Sequence, residues 1–504
     1  MSLKSLRIFM GPVETAGYFA HLRRGLDEIG IRTTCLDFNR HRFAYGGADD
    51  LFWGRVLVRA ARGRWQTPRR RFARRACWFA LAHMSRAILF TQMLVRHDVF
   101  VFGGQSLYDS LRDLRVLRFF GKRIVFVFLG SDSRPAYLNG KYAAEGPIDA
   151  RGLIERTRRT KERIRIVERY ADVIVSNPLS SQLHERPFVP FTVLGFPTSS
   201  NGVAQSARPD EMENPDVRID VSREGSARLN HGASPEQAAL SDRTEAAALS
   251  YNPGQAALSD RPVVVLHAPS DLAGKGTLRI RDAVAGLVDK GFRIDYREIS
   301  GQPNQVVHRE LAACDFVIDQ LFSDAPMAGF AREAALYGKP AIVGTYAVDE
   351  FVRGAARGSL PPCLWSHPDD IEQAVQRLAT NPPMRTLIGE RARDFVTTAW
   401  SSEAVARRLL DLVEDSGRET AIEWCDPAGV TYVGGYGLSA ERRSTVVRAV
   451  LQEGGAGALH LDDKPTLRRL LMRAAVGKVA EYEAPADKAP EDKAPAKPPV
   501  AATI

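Results

Sequence analysis

The chain has 504 residues, 44% of them apolar, enough to fill the cores of two domains and their appendages. A formal net charge of +9 calls for an anionic partner and leaves nucleic acid, an anionic membrane and nucleotide diphosphates all in play. Five scattered cysteines (Cys35, Cys77, Cys314, Cys363, Cys425) form no Cys-X-X-Cys pair, which argues against a disulfide framework or a zinc site, and no run of about 18 apolar residues is available to span a bilayer.

Leu6 to Met10 predicts a first strand, Phe19 to Ile29 a helix closed by Gly30, and Ile31 to Leu36 a second strand. No signal-peptide pattern precedes them, so the expected location is cytoplasmic, free or peripheral to the inner face of the membrane. The loop between strand and helix carries Gly17, which lets a ligand approach the backbone closely; a plain βα turn is the other reading.

The composition then changes. Nine arginines between Arg55 and Arg75 are interleaved with Trp53, Trp65, Phe72 and Trp78. Indole and guanidinium together suit an anionic bilayer surface; a solvated arginine-rich helix explains the same residues, and nucleic acid is the least favoured partner. Ala76 to Val95 is apolar but broken by His83 and Arg86, which predicts a buried helix rather than a span.

Asp98 to Phe102 reads as a strand, Leu107 to Phe120 as a helix, and Arg123 to Leu129 as a second buried strand. That strand delivers Gly130-Ser131-Asp132-Ser133-Arg134 to the carboxyl edge of a parallel sheet. There Asp132 can orient an acceptor hydroxyl and Arg134 can clamp an anion, unless the two form a turn that caps the next segment. Ile154 to Tyr170 is a charged helix, with strands at Ala171 to Ser176 and Phe191 to Leu194. From Asn201 to Asp260 the pattern dissolves, and Gln-Ala-Ala-Leu-Ser-Asp-Arg occurs twice, at 237–243 and 255–261, as in a flexible insertion.

Val263 to His267 is a short β-branched run followed by the loop 268–277 and a helix with Ile280, Ala283, Val284 and Leu287 on one face. Gly274, Lys275 and Gly276 in that loop combine backbone N–H groups, a helix dipole and a full positive charge, the elements of a phosphate site; an ordinary βα turn with a solvated lysine contains the same residues. Further strands at 292–296, Phe316 to Asp319 and Ala341 to Gly344 alternate with helices at Asn304 to Ala313 and from Gly329, which predicts a parallel sheet with ligands at its carboxyl edge.

The series His267-Ala-Pro-Ser, Lys275-Gly-Thr, Asp319-Gln, Gly329-Phe, Glu333-Ala and Gly338-Lys-Pro resembles the C-terminal domain of retaining nucleotide-sugar glycosyltransferases of the GT-B fold (glycosyl transferases group 1, family 4-like). The resemblance implies that Lys275 binds the donor diphosphate, that Gly329 and Phe330 present backbone N–H groups to it, and that Glu333 bonds the ribose. It also implies that the loop with Gly17 lines the cleft and that Gly130, Ser131, Asp132 and Arg134 belong to its acceptor side. Two departures stand out: Ala325 occupies the place of a second glutamate, and no arginine lies between His267 and Gly274.

Helices are expected at Asp369 to Ala379, Met384 to Thr397 and Ser401 to Glu414, the last closing back onto the first domain as in GT-B proteins. Two more, Ala440 to Gln452 and Pro465 to Ala475, make an appended α-rich piece, and the Asp-Lys-Ala-Pro repeats of the tail predict disorder. The expected architecture is α/β of the GT-B type, two Rossmann-like domains facing across a cleft. Its parts are an acceptor domain (1–198), a low-complexity insertion (199–261), a nucleotide-sugar domain (262–416), an α-rich segment (417–483) and a disordered tail (484–504). The expected reaction moves a sugar from a nucleotide-sugar to a hydroxyl acceptor, lipid-linked if the arginine-rich segment docks on a membrane, in cell-surface polysaccharide or glycolipid assembly. Retention of configuration is implied by the family alone. No Asp-X-Asp occurs in the chain, so neither a metal nor a cofactor is expected, and Lys275 and Asp132 are the catalytic candidates. A binding or scaffold protein on a degenerate GT-B fold is the alternative.

Overall fold

Alternation of valine and phenylalanine builds the first domain. In a computed structural model that describes residues 6–38, 49–199, 261–356, 358–415, 423–435 and 437–475, six parallel strands form one sheet: β1 (Arg7–Gly11), β2 (Arg32–Cys35), β3 (Val99–Gly103), β4 (Arg123–Val127), β5 (Val173–Ser176) and β6 (Val189–Pro190), in the order β2-β1-β3-β4-β5-β6. Val99, Val101, Val125, Val127, Val173 and Val175 all point to one face, and Phe100, Phe102, Ile124, Phe126 and Ile174 to the other, as the two-residue period requires.

The valine face is covered by α1 (Tyr18–Glu28). The phenylalanine face carries α3 (Phe72–Arg96), which pairs with α2 (Phe52–Gln66), then α4 (Arg112–Phe119) and α5 (Ala150–Tyr170).

The second domain has five parallel strands: β7 (Val263–His267), β8 (Ile294–Glu298), β9 (Phe316–Gln320), β10 (Ala341–Gly344) and β11 (Leu364–Ser366), ordered β11-β10-β9-β7-β8. Its helices are α6 (Thr277–Asp289), α7 (Asn304–Ala313), α8 (Gly329–Leu336), α9 (Val348–Ala356), α10 (Ile371–Thr380) and α11 (Pro382–Thr397). Together the two sheets are the two Rossmann-like domains of a GT-B architecture. The chain then crosses back: α12 (Ser402–Asp415) lies along α1, and Ser402 N and Oγ both donate to Thr198 O, at 2.9 and 3.0 Å. Gly25 of α1 makes this packing possible, because the carbonyl of Ser402 fills the place a Cβ would take.

The α-rich C-terminal segment also returns to the first domain. Val446, Val447 and Val450 of α13 (Ala440–Gly454) and Leu467 and Leu471 of α14 (Pro465–Ala475) complete the core of the phenylalanine face. Buried polar contacts fix it there: Tyr137 Oη donates to Leu459 O at 2.8 Å and Lys161 Nζ to Asp463 Oδ1 at 2.6 Å.

Three expectations are corrected. Phe191–Leu194 is a single helical turn, because Pro190, which cannot extend the ladder, ends β6 and enters at φ −57°. The helix expected from Leu107 starts only at Arg112, since Leu111 is left-handed at φ 57° and Asp113 is tied to Ser106 Oγ at 2.7 Å. The apolar stretch 76–95 is helical but mostly solvent-facing. Only Ser85, Leu89 and Met93 are buried, because its apolar residues ring the helix while α2 and the core cover one stripe. The repeats at 237–261 and the tail from 484 lie outside the described residues, apart from Arg261. No helix among the described residues is long and apolar enough to cross a membrane, and the five cysteines are free thiols.

Candidate functional site

The loops after β1, β4 and β9 all leave the carboxyl ends of parallel strands and meet at the interdomain cleft, where backbone geometry leaves room for a ligand. The loop after β1 meets the start of α8: a Cβ placed on Gly329 would lie 3.4 Å from Ala16 Cβ. Arg332, buried on α8, ties the same loops together. Its Nη2 donates to Ala16 O at 3.0 Å, its Nη1 to Pro197 O at 2.5 Å, and its guanidinium lies 4.5 Å from the centre of the Phe196 ring.

Gly17 stands at the N-cap of α1 with φ 76°, a conformation that suits glycine. The positive end of α1 already has a carboxylate. Buried Glu14 accepts from Thr15 N at 2.7 Å, Phe19 N at 3.2 Å and Ala20 N at 2.9 Å. Burial raises its pKa, and the three backbone N–H groups hold the rise in check.

The loop after β4 places Gly130, Ser131, Asp132 and Arg134 at the same edge. Ser180 Oγ donates to Gly130 O at 2.8 Å and Asn139 Nδ2 to Ser131 Oγ at 3.0 Å, which pins the loop. Asp132 is open to water from one side, yet enough protein surrounds it that desolvation raises its pKa, against the pull of Arg163 and Lys141. Arg163 in turn donates to Gly104 O at 2.7 Å, and a Cβ on Gly104 would sit 3.4 Å from Asp132 Oδ2. Arg134 departs from its expected place as an anion clamp. Its side chain is fully buried and gives Nη1 to Asp324 Oδ2 at 2.7 Å and Nη2 to Leu179 O at 2.9 Å. Its positive charge is spent on a carboxylate of the other domain.

In the second domain the phosphate-loop residues separate in role. Residues 272–275 form one helical turn, and Lys275 Nζ, partly exposed, bonds Gln320 Oε1 at the end of β9. Gly274 lies on that turn. Gly276 is buried at φ 70° and has the Leu321 side chain 2.6 Å from the position of a Cβ, so a glycine is needed there for the protein's own packing. His267, at the end of β7, lies within bonding distance of Ile318 O (2.7 Å) through Nδ1 and of Thr277 Oγ1 (3.0 Å) through Nε2. Burial lowers its pKa to about 4, so it is neutral and structural at pH 7.

Gly329 and Phe330 open α8, whose first N–H groups have no acceptor within the helix. Glu333 lies one turn on, and burial raises its carboxyl to about 7, with Arg332 opposing and Asp319 adding to the rise. Asp319, whose Asp-Gln pair belongs to the motif but to which the resemblance assigns no role, is almost fully buried. Neither carboxyl oxygen makes a hydrogen bond of good geometry; the nearest favourable groups are Lys275 and the Ala328 N–H, and burial raises its pKa. Ala325, in the place of the second glutamate, donates its N–H to Ser323 Oγ at 3.1 Å.

Sequence reasoning missed Asp324, Asn177 and Arg332. Asn177 Nδ2 donates to Asp324 O at 2.8 Å, so the loop after β9 is held by two residues of the first domain. Nothing in local spacing marks such partners.

No protein-family model matches the chain, and no curated protein matches it in sequence. Among solved structures, it is similar to Anabaena HepE in complex with UDP-glucose (12% identity, 81% of this chain and 99% of that one, TM-score 0.40). It is likewise similar to the UDP-forming α,α-trehalose-phosphate synthase of Burkholderia vietnamiensis (10%, 82% and 99%, TM-score 0.41) and to UDP-GlcNAc 2-epimerase of Neisseria meningitidis bound to UDP-GlcNAc (10%, 81% and 99%, TM-score 0.37). Similarity this low transfers no function, and the chemistry of the cleft rests on the chain's own residues.

Proposed function

We propose that the cleft transfers a sugar from a nucleotide-sugar to a hydroxyl acceptor, with retention of configuration and without a metal. The reading is supported by Lys275 bonded to Gln320 at the carboxyl end of β9 and by α8, which starts with Gly329 against the first-domain loop at Ala16 and carries Glu333 one turn on. A diphosphate leaving group acquires charge as the sugar–oxygen bond breaks. Lys275 and the N–H groups of Gly329 and Phe330 supply fixed positive potential for it. Glu333 accepts a ribose hydroxyl, and Asp132 orients the acceptor hydroxyl from the first domain.

The acceptor is lipid-linked, in polysaccharide or glycolipid assembly at the inner face of a membrane. The support is the α2–α3 pair, on which Trp65 (90% exposed) and Phe72 (79% exposed) stand among the arginines at 55–75. Ala325 in place of a glutamate favours the second reading, a binding or scaffold protein that keeps the fold and has lost transfer.

The test is a thermal-shift screen of UDP-, GDP-, ADP- and dTDP-sugars on the wild type and a folded Lys275→Ala variant. A ligand at 100 times its dissociation constant stabilises by about 2.7 kcal/mol. A nucleotide-sugar that shifts the wild type and not the variant supports the donor site, and turnover with candidate acceptors then separates enzyme from scaffold. No shift with any donor removes the proposal.

A further inference from the structure

The C-terminal segment does more than complete the core of the first domain; it reaches the cleft ahead of α13. Gln182 Nε2 donates to Tyr432 O at 3.0 Å, and the Tyr432 ring packs with Leu179 of the first domain and Ala347 and Phe351 of the second. A Cβ on Gly437 would lie 3.5 Å from the Phe322 ring, and Phe322 stacks on Tyr346, the centroids 6.2 Å apart at 16°. The segment is therefore wedged between the two domains at the carboxyl edge of the second sheet.

Two adjacent arginines on the first turn of α13 have opposite fates. Arg442 donates to Ala143 O at 2.8 Å and Gly146 O at 2.5 Å and anchors the helix to the first domain. The side chain of Arg443, within electrostatic reach of Tyr432 and Tyr346, makes no hydrogen bond or ion pair among the described residues; its Nε is buried and the residue is half-buried. The Tyr432 hydroxyl is also buried without a partner among the described residues, on a residue only 9% exposed. The carboxylates around it are engaged or turned elsewhere: Asp324 is bound by Arg134, Asp369 by Arg279, and Glu350 acts on Tyr432 without pairing to Arg443. A half-buried guanidinium with no acceptor and an orphaned hydroxyl in the same electrostatic neighbourhood offer an oxyanion two donors.

We infer that Arg443 and the Tyr432 hydroxyl form a binding site for a phosphate or carboxylate group carried by the acceptor. The site is fixed to the first domain through α13 and faces the second, so an anion held there is presented across the cleft to the donor side. Calling the ligand an acceptor rests on the function proposed above. The anion site itself does not.

The experiment titrates inorganic phosphate into the full chain by calorimetry, with and without saturating UDP, for the wild type, Arg443→Gln, Arg443→Ala and Tyr432→Phe, each checked for a cooperative melt. Loss of the guanidinium is expected to weaken phosphate binding at least 10-fold and loss of the hydroxyl two- to five-fold, with phosphate still binding the UDP-loaded wild type. If Arg443→Ala does not fold, Arg443→Gln and Tyr432→Phe decide. Unchanged phosphate affinity in the folded variants overturns the site, and displacement of phosphate by UDP overturns its place on the acceptor side. A protein that binds phosphate through Arg443 but no UDP keeps the anion site and loses the glycosyl-transfer reading. UDP binding with no phosphate response does the reverse.

Discussion

Arg134 and Asp324 face one another across the interdomain cleft, Nη1 2.7 Å from Oδ2, the arginine side chain fully buried and the aspartate nearly so. The pair lies two residues from Asp132 on one side and next to Ala325 on the other, so it ties the loop after β4 to the loop after β9. Removing one partner leaves the other as an uncompensated buried charge. Asp324→Asn is expected to destabilise the protein by about 3 kcal/mol, and Arg134→Met with Asp324→Leu by less than the sum of the single changes. Urea unfolding of the wild type, Asp324→Asn, Arg134→Met, Asp324→Leu and the double variant measures this coupling; additive losses would mean that the pair does not hold the domains.

Glu333 predicts a pH dependence. A carboxyl whose pKa is raised from 4.5 to about 7 on folding binds an extra proton in the folded state between those values. Stability therefore falls as pH rises through about 4.5 to 7 and levels off above. Glu333→Gln removes this contribution. Allowing for the carboxyl's partial exposure, the variant is expected to be more stable than the wild type by about 2 kcal/mol at pH 8 and equal to it near pH 4. Chemical denaturation across that range checks it, and parallel curves for the two proteins would show that Glu333 is not desolvated.

Gly274 and Gly276, two residues apart, separate on substitution. Gly276→Ala meets both a left-handed backbone and the Leu321 side chain, and is expected to lose about 1–3 kcal/mol. Gly274→Ala, on a helical turn, is expected to change stability by less than about 1 kcal/mol. Thermal melts of both variants decide; equal tolerance at the two positions would contradict the packing at Gly276.

The helix pair α2–α3 can be tested on vesicles. Wild-type protein is expected to co-sediment with phosphatidylserine vesicles and not with phosphatidylcholine alone. Trp65→Ser with Phe72→Ser should lower the partition roughly 30- to 1000-fold, since each aromatic ring that stays in water forfeits burial worth on the order of 1–2 kcal/mol. Partition that ignores these substitutions, or does not weaken with salt, would rule out docking through this face.

Nine of the eleven strands among the described residues follow from the amino-acid sequence alone, β6 and β11 being the two that do not, and so do the helices Asn304–Ala313 and Pro465–Ala475. Their signals are local: a period of two in Val99-Phe100-Val101-Phe102, a period near 3.6 in Ile280, Ala283, Val284 and Leu287, and breakers at their ends. Periodicity says which residues share a face and not what that face will meet. That Arg134 binds Asp324, 190 positions away, that Gly276 packs against Leu321, and that α13 returns to the first domain are outcomes of topology. Arginine, aspartate and glycine have the same local preferences whether they face substrate, solvent or another loop. Only the folded chain brings their partners within the few ångströms over which hydrogen bonds and desolvation act.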